Sequence, residues 1–218
     1  MQEAALKELA SQLRHPHGQQ ASRVGTRMNR GNEQINLCTI KALCSEAHDT
    51  ILEIGMGNGF FVKNVVSAAP FISYHGCDFS EEMVAEAIRI NQLLIKKGKA
   101  SFHLAEATQL PFVNLTFNKV FTVNTVYFWD NPSLVLTEIN RVLKPHGQLL
   151  IALRPKAILK HYPFTSYGFR IFTETELCNL LSKQGFKVVN TIKHKEHPQE
   201  MNGETIAVAS LIIVAEKL

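Results

Sequence analysis

The run Ile51-Leu52-Glu53-Ile54-Gly55-Met56-Gly57-Asn58-Gly59-Phe60-Phe61 decides the fold. It reads as a short buried strand that ends in a carboxylate and three glycines, with a helical pattern behind it. Glycines at such a turn let the backbone bend sharply and approach a ligand closely, with helix N–H groups pointing at it. The dinucleotide fingerprint, read from Gly55 and Gly57, requires glycine at position 60, where Phe60 stands. A phosphate loop requires Lys followed by Ser or Thr. Both phosphate readings fail. A carboxylate that only caps the following helix remains the plain structural alternative.

Outward from this turn, short β-rich apolar runs alternate with helical ones, the pattern of βαβ units around a parallel sheet. Strands are expected near 50–54, 72–77, 100–104, 117–123 and 147–153, with helices near 59–68, 81–96 and 132–143. Ser80 is placed to cap the second of these helices, and Pro132 to open the third where a missing N–H costs little. Ahead of the first strand, Glu3 to Leu13 carries a helical stripe and a second helix is expected near 35–44. Between them GQQASRVGTRMNRGN reads as a loop or broken helices. The irregular stretch LRPKAILKHYPFTSYGF, rich in aromatics, reads as a substrate loop. Thr173 to Gln184 reads as a helix. Phe186 to Ile192 and Thr205 to Val214 read as strands joined by the polar His194 to Gly203 segment.

A chain of 218 residues fits one domain or one domain with a cap. Residues 1–45 are expected to form an N-terminal helical cap and residues 46–218 the main domain. With 45% hydrophobic and 19% charged residues the composition is that of a globular protein. A net charge of +4 is too small and scattered to mark a nucleic-acid surface, and Lys96, Lys97 and Lys99 read as a solvated helix end. Cys38, Cys44, Cys77 and Cys178 show no Cys-x-x-Cys pair and fit reduced thiols in a cytoplasmic protein. The N-terminus lacks a signal-peptide core, and no apolar run is long enough for a membrane span.

Further motifs follow the turn at regular distances. Asp78, in Tyr74-His75-Gly76-Cys77-Asp78-Phe79-Ser80, ends the second strand, where a carboxylate accepts ribose hydroxyls in adenosine-binding sites of this architecture. His103-Leu-Ala-Glu-Ala-Thr-Gln-Leu-Pro-Phe112 follows the third strand, Phe117-Asn-Lys-Val-Phe-Thr-Val-Asn124 forms the fourth, and Glu138-Ile-Asn-Arg-Val-Leu-Lys-Pro-His-Gly147 leads into the fifth. Together with Glu-x-Gly-x-Gly-x-Gly, this series through about residue 153 resembles the class I S-adenosylmethionine-dependent methyltransferases, in their type 11, UbiE-like small-molecule group.

The resemblance implies a Rossmann-like α/β fold, a seven-stranded mostly parallel sheet flanked by helices, with S-adenosylmethionine as cofactor. It implies that Gly55, Gly57, Asn58 and Gly59 surround the methionine part, with Glu53 orienting the amino group indirectly. Asp78 would hold the ribose, Phe79 and Met83 would wall the adenosine, and Glu106 and the Ala107 backbone would meet the adenine. Glu106 stands where the family has Asp, Asn118 where Asp is common, and His146 where Gly is usual. Asn124 and Thr125 would lie near the transferred methyl, and the Glu138 to Gly147 motif is structural.

The implied reaction is in-line methyl transfer, for which the protein must chiefly align a nucleophile and exclude water. For a hydroxyl acceptor the candidate bases are His15, His17 and His161, with Tyr127 and Tyr162 as hydrogen-bonding partners; each histidine also reads as an ordinary surface residue. Tyr127, Phe128 and Trp129 follow the fourth strand at the sheet edge where ligands of such folds bind, and Arg27, Met28, Asn29 and Asn32 join them if the cap closes over the site. His15-Pro16-His17 and the His194/His197 pair lack a matching ligand set, so no metal is expected. With no basic groove and no Pro-Pro-Tyr after Asn124, the expected partner is a small-molecule acceptor, with no nucleic acid and no membrane; nothing indicates an oligomeric state. A macromolecular acceptor, protein or RNA, and a non-catalytic cofactor-binding module are the alternatives.

Overall fold

The computed structural model describes residues 3–201 and 204–218. Three helices come first: α1 (Glu3–Arg14), α2 (Ala21–Gly31) and α3 (Glu33–Ala42). The alternating unit follows as β1 (Thr50–Ile54), α4 (Val62–Val66), β2 (Ser73–Asp78), α5 (Glu81–Ile90), α6 (Gln92–Lys96), β3 (Ala100–Leu104), β4 (Phe117–Val123), α7 (Pro132–Val142) and β5 (Leu143–Leu153). The remainder is α8 (Lys156–Leu159), α9 (Glu174–Lys183), β6 (Phe186–Lys195), the ribbon strands β7 (Gln199–Met201) and β8 (Glu204–Ile206), and β9 (Ala209–Lys217).

The main sheet runs β3-β2-β1-β4-β5-β9-β6, parallel except for β9, which is antiparallel to both β5 and β6. The strand order reverses between β1 and β4, so the loops after these strands part and open a crevice at their carboxyl ends. Ile51, Leu52 and Ile54 of β1 are buried, as are Leu149, Leu150 and Ile151 of β5, because helices cover both faces. One core cluster lies under α7 and α9, the other under α3 and α4. Among the described residues no helix is long and apolar enough to cross a membrane.

Several elements differ from expectation for local reasons. The expected 81–96 helix breaks at Asn91, whose side chain donates to the carbonyls of Gly59 and Ala87, both at 3.0 Å. The 59–68 helix shortens to Val62–Val66 because Gly59, at φ +66°, still belongs to the turn. The segment between the first helices, expected as a loop or broken helices, is a 3₁₀ turn, Gly18–Gln20, followed by the continuous α2. Its Gly25 costs helix propensity but lets α2 approach the main domain: a Cβ there would stand 3.2 Å from Asn58 Nδ2 and 3.4 Å from Met83 Sδ. The substrate-loop stretch holds α8 and a 3₁₀ turn, Pro163–Ser166. The last expected strand splits: Thr205 belongs to the ribbon with β7, and the sheet strand runs Ala209–Lys217.

Two substitutions in the family-like motifs also find physical accounts. His146 has φ +60°, a conformation that favours the glycine usual there. Asn118 Oδ1 accepts from the Thr50 N–H (3.1 Å) and from Lys144 Nζ (2.8 Å), so its work is to join β1, β4 and β5.

Candidate active site

A cavity of about 510 Å³ lies at the switch point, between the ends of β1, β2 and β4 and the N-terminal helices. Glu53, Gly55, Gly57, Asn58, Asp78, Phe79, Met83, Glu106, Ala107, Asn124 and Thr125 all line it. Gly59 does not. A Cβ on Gly59 would stand 3.0 Å from Ala87 Cβ and 3.0 Å from Asn91 Nδ2, so this glycine serves the packing of the turn on α5. Gly55, at φ +72°, likewise has Thr125 pressed against it. Gly57, at φ +56°, has nothing within 4 Å of a would-be Cβ; it is the glycine that keeps space open.

The two buried carboxylates are held differently. Asp78 Oδ2 accepts from the Gly57 N–H (2.9 Å) and Oδ1 from the Ser80 N–H (3.0 Å). Burial pushes its pKa up, while hydrogen bonds from the backbone of Ser80, Gly57 and Phe79 pull it down. Each oxygen keeps a further lone pair for a ligand hydroxyl. Glu53 receives one short hydrogen bond, from Tyr74 Oη to Oε2 at 2.6 Å. Burial raises it to about 7; the Tyr74 hydrogen bond opposes the rise and the neighbouring charge of Asp78 adds to it. Tyr74 points inward from β2 and was missed in the sequence, where it reads only as a strand aromatic.

The N-terminal segment closes over this cavity. Ser80 Oγ donates to the Pro16 carbonyl at 2.6 Å while accepting from the Met83 N–H, and the Gly18 N–H donates to Glu82 at 2.8 Å. The His15 ring stacks on Phe79 with centroids 4.6 Å apart. Met28, Asn29 and Asn32 of the segment reach the cavity, as do Phe128 and Trp129. Arg27 does not; it lines a second cavity.

That second cavity, about 440 Å³, lies between α1, α2 and the 154–169 stretch. Five residues line both cavities: Leu13, Met28, Asn32, Asn124 and Phe128. Asn124, at φ +58°, donates from Nδ2 to Asn32 Oδ1 (3.1 Å), which ties the end of β4 to the N-terminal segment. Tyr127 lines the second cavity only. Its hydroxyl is 3.1 Å from Asn124 Oδ1 and 3.3 Å from the Arg154 carbonyl, and it accepts from the Arg154 N–H. Burial holds this phenol protonated.

None of the candidate bases lies at the junction of the cavities. His15 and His17 line a shallow groove beside Phe79 and Glu82. His161 is exposed and lines neither cavity, because the turn after α8 directs it to solvent. Tyr162 lines the second cavity and donates to Gln199 Oε1 at 3.2 Å.

Sequence reading also missed Arg154 and Glu196. They form a buried, two-pronged ion pair, Nη1 to Oε1 at 2.8 Å and Nη2 to Oε2 at 3.1 Å, and Nη2 also donates to the Gly31 carbonyl at 2.8 Å. The pair fastens the end of β5 to α2 and to the segment after β6. The only sequence signal was a Glu in a polar stretch, which carries no partner information.

Residues 52–151 match the methyltransferase domain family. An O-methyltransferase of Pyrenophora dematioidea is 25% identical over 179 residues, 78% of this chain and 66% of that protein. The ubiquinone/menaquinone biosynthesis C-methyltransferase UbiE of Desulfotalea psychrophila is 31% identical over 121 residues, 55% of this chain and 48% of that protein. The matches thus span just under two thirds of the first relative and about half of the second. Among solved structures, a Haloferax volcanii protein in complex with the Trm112 methyltransferase activator superposes with a TM-score of 0.77, at 19% identity, over 90% of this chain and 93% of that one. Residues 52–151 therefore resemble a methyltransferase domain, on a fold shared with that solved structure.

Proposed function

We propose that the protein transfers a methyl group from S-adenosylmethionine to a small-molecule acceptor, with residues 46–218 as the catalytic domain and residues 1–45 as its cap. The observation that carries this reading is the pair of cavities meeting at Asn124 over the carboxyl ends of the strands. The first has the features an adenosine and amino-acid ligand needs. Open space fronts Gly57, the buried Asp78 has acceptor capacity left, and Glu53 has an oxygen with no hydrogen bond among the described residues.

In this reading Asp78 binds the ribose hydroxyls, Glu106 and Ala107 border the adenine, and Glu53 with the Gly55–Asn58 backbone orients the amino-acid end. Bound there, S-adenosylmethionine would supply a methyl carbon made electrophilic by its sulfonium, for displacement from sulfur by a nucleophilic atom of the acceptor. The chain aligns the acceptor and keeps water out. Leu13, Met28, Asn32, Asn124 and Phe128, which line both cavities, include no group that titrates near neutral pH. The acceptor must therefore arrive as a nucleophile without help from a side-chain base at this junction.

Calorimetry with S-adenosylhomocysteine tests the placement. Asp78→Ala is expected to weaken binding on the order of a hundredfold, as loss of hydrogen bonds to a charged group does. Unchanged affinity overturns the ribose role. Radiolabelled methyl transfer into fractionated metabolites, with protein and RNA fractions counted in parallel, tests the acceptor; label only in macromolecules overturns the small-molecule reading.

A further inference from the structure

The second cavity is walled by aromatic rings. Phe169 stands 4.7 Å from Phe128, 5.7 Å from Tyr127 and 5.7 Å from Phe164, centroid to centroid, and Tyr162 is 5.5 Å from Phe164. Edge-to-face and tilted rings at these distances present flat apolar surface that suits another ring system. Three arginines also line the cavity, and they differ. Arg154 is neutralised by Glu196. Arg23 and Arg27, one turn apart on α2, pair with no carboxylate among the described residues. Among the described residues the one acidic residue lining the cavity is Glu8, whose Oε1 accepts from Gln12 Nε2 at 3.1 Å.

Two unpaired guanidinium groups against one carboxylate leave an excess of one positive charge. Like charges at i and i+4 destabilise a helix in isolation, and a bound anion relieves that. Arg30, three residues further on, lines the adjoining groove with Arg23 and Arg27. Neither Arg23 nor Arg27 lines the first cavity. The charge thus lies away from the junction where methyl transfer would occur.

Resting on the methyl-transfer reading, we infer that the acceptor is an aromatic acid: a flat ring body between Phe128, Phe164 and Phe169, an anionic group at Arg23 and Arg27, and the methylated atom at Asn124. A planar guanidinium fork matches a carboxylate, which gives the anionic end its specificity. The cavity volume accommodates a fused two-ring body.

The test compares 6-hydroxy-2-naphthoate with 2-naphthol, the same ring without the carboxylate, by calorimetry on the full chain with and without S-adenosylhomocysteine. The acid is expected to bind about tenfold more tightly than the neutral compound, and the Arg23→Gln/Arg27→Gln variant is expected to bring the two within about twofold. Both arginines are exposed, so the variant is expected to fold. Equal affinities in the native chain, an acid preference that survives the double substitution, or no binding of either probe overturns the proposal. Absence of heat with S-adenosylhomocysteine alone overturns the methyl-transfer reading instead, and the ratio of the two probes still decides what the second cavity takes.

Discussion

The two cavities share a wall but are built by different means. The first is made where parallel strands end: backbone N–H donors and two buried carboxylates, all within the stretch from Glu53 to Asp78, form its innermost polar groups, and Asn29, Asn32, Glu106 and Asn124 add to them from outside it. The second is made by side chains from segments as distant as Leu9 and Gln199, held together by one buried ion pair and by edge-to-face and tilted rings. A site fixed by strand ends holds its geometry wherever the sheet forms. A site assembled from helices and a loop depends on a few long-range contacts and is free to change its ligand while the first stays constant.

The largest expected effect breaks the second region alone. Glu196→Ala leaves the Arg154 guanidinium buried at 6% exposure with no countercharge, a loss of about 3–5 kcal/mol. Denaturant unfolding measures it, and Arg154→Met combined with Glu196→Leu is expected to recover most of the loss, since an apolar pair avoids the desolvation cost. If the comparison holds, folded Glu196→Ala protein keeps its S-adenosylhomocysteine affinity within about twofold while its second cavity loses ligand. A parallel loss of cofactor affinity would show one coupled site.

The next effect belongs to the first region. Glu53 has a folded pKa of about 7, above its unfolded value of 4.5. Between those values the folded chain holds a proton that the unfolded chain has lost, so stability falls as pH rises through this window and the cost is fully present above pH 7. Glu53→Gln removes the buried charge and keeps an acceptor for Tyr74. It is expected to stabilise the ligand-free protein at pH 8 by on the order of 3 kcal/mol and to weaken S-adenosylhomocysteine binding. A variant no more stable than the native chain at pH 8 removes the assignment of that cost to Glu53.

The contrast between the regions is also a contrast in what could be read from residues. The strands from Thr50 to Leu153 were legible because buried parallel strands are continuous apolar runs punctuated by turn residues. Asp78 was legible from its place at the end of the second strand, and Glu53, Gly57 and Glu106 through the resemblance of their motifs to the methyltransferase family; all four line the first cavity. Gly59 is outside the lining of the first cavity, and a glycine needed for packing on Ala87 looks the same in sequence as one needed for a ligand. Helix α2 was obscured by Gly25, whose helix penalty is visible while its contact with Met83 is not. The second cavity was visible in pieces, as the aromatics of residues 153–169, as Tyr127 and Phe128 after the fourth strand and as Arg27, Met28 and Asn32 of the cap; nothing local links Phe169 to Phe128 or Arg154 to Glu196.

The smallest expected effect sharpens the pH behaviour of the first region by removing a competing signal. His75 on β2 and His103 on β3 both contact Ser101 Oγ, at 2.8 and 3.0 Å, and their rings lie 6.2 Å apart against Phe112. Burial lowers both pKa values, and His103 lowers that of His75 further. The unfolded chain therefore takes up protons first as pH falls below about 6.5, and stability falls with it. This slope opposes that of Glu53, whose window overlaps it. Both rings are partly solvated, so the effect is expected to be about 1 kcal/mol or less. In the Glu53→Gln background the histidine slope is no longer opposed by Glu53: stability is expected to decline from pH 6.5 to pH 5, and His75→Gln to flatten that decline by hydrogen bonding to Ser101 without a charge. If the decline persists undiminished in the double variant, acid sensitivity arises elsewhere, and the pH dependence of the native chain no longer separates Glu53 from the rest of the fold.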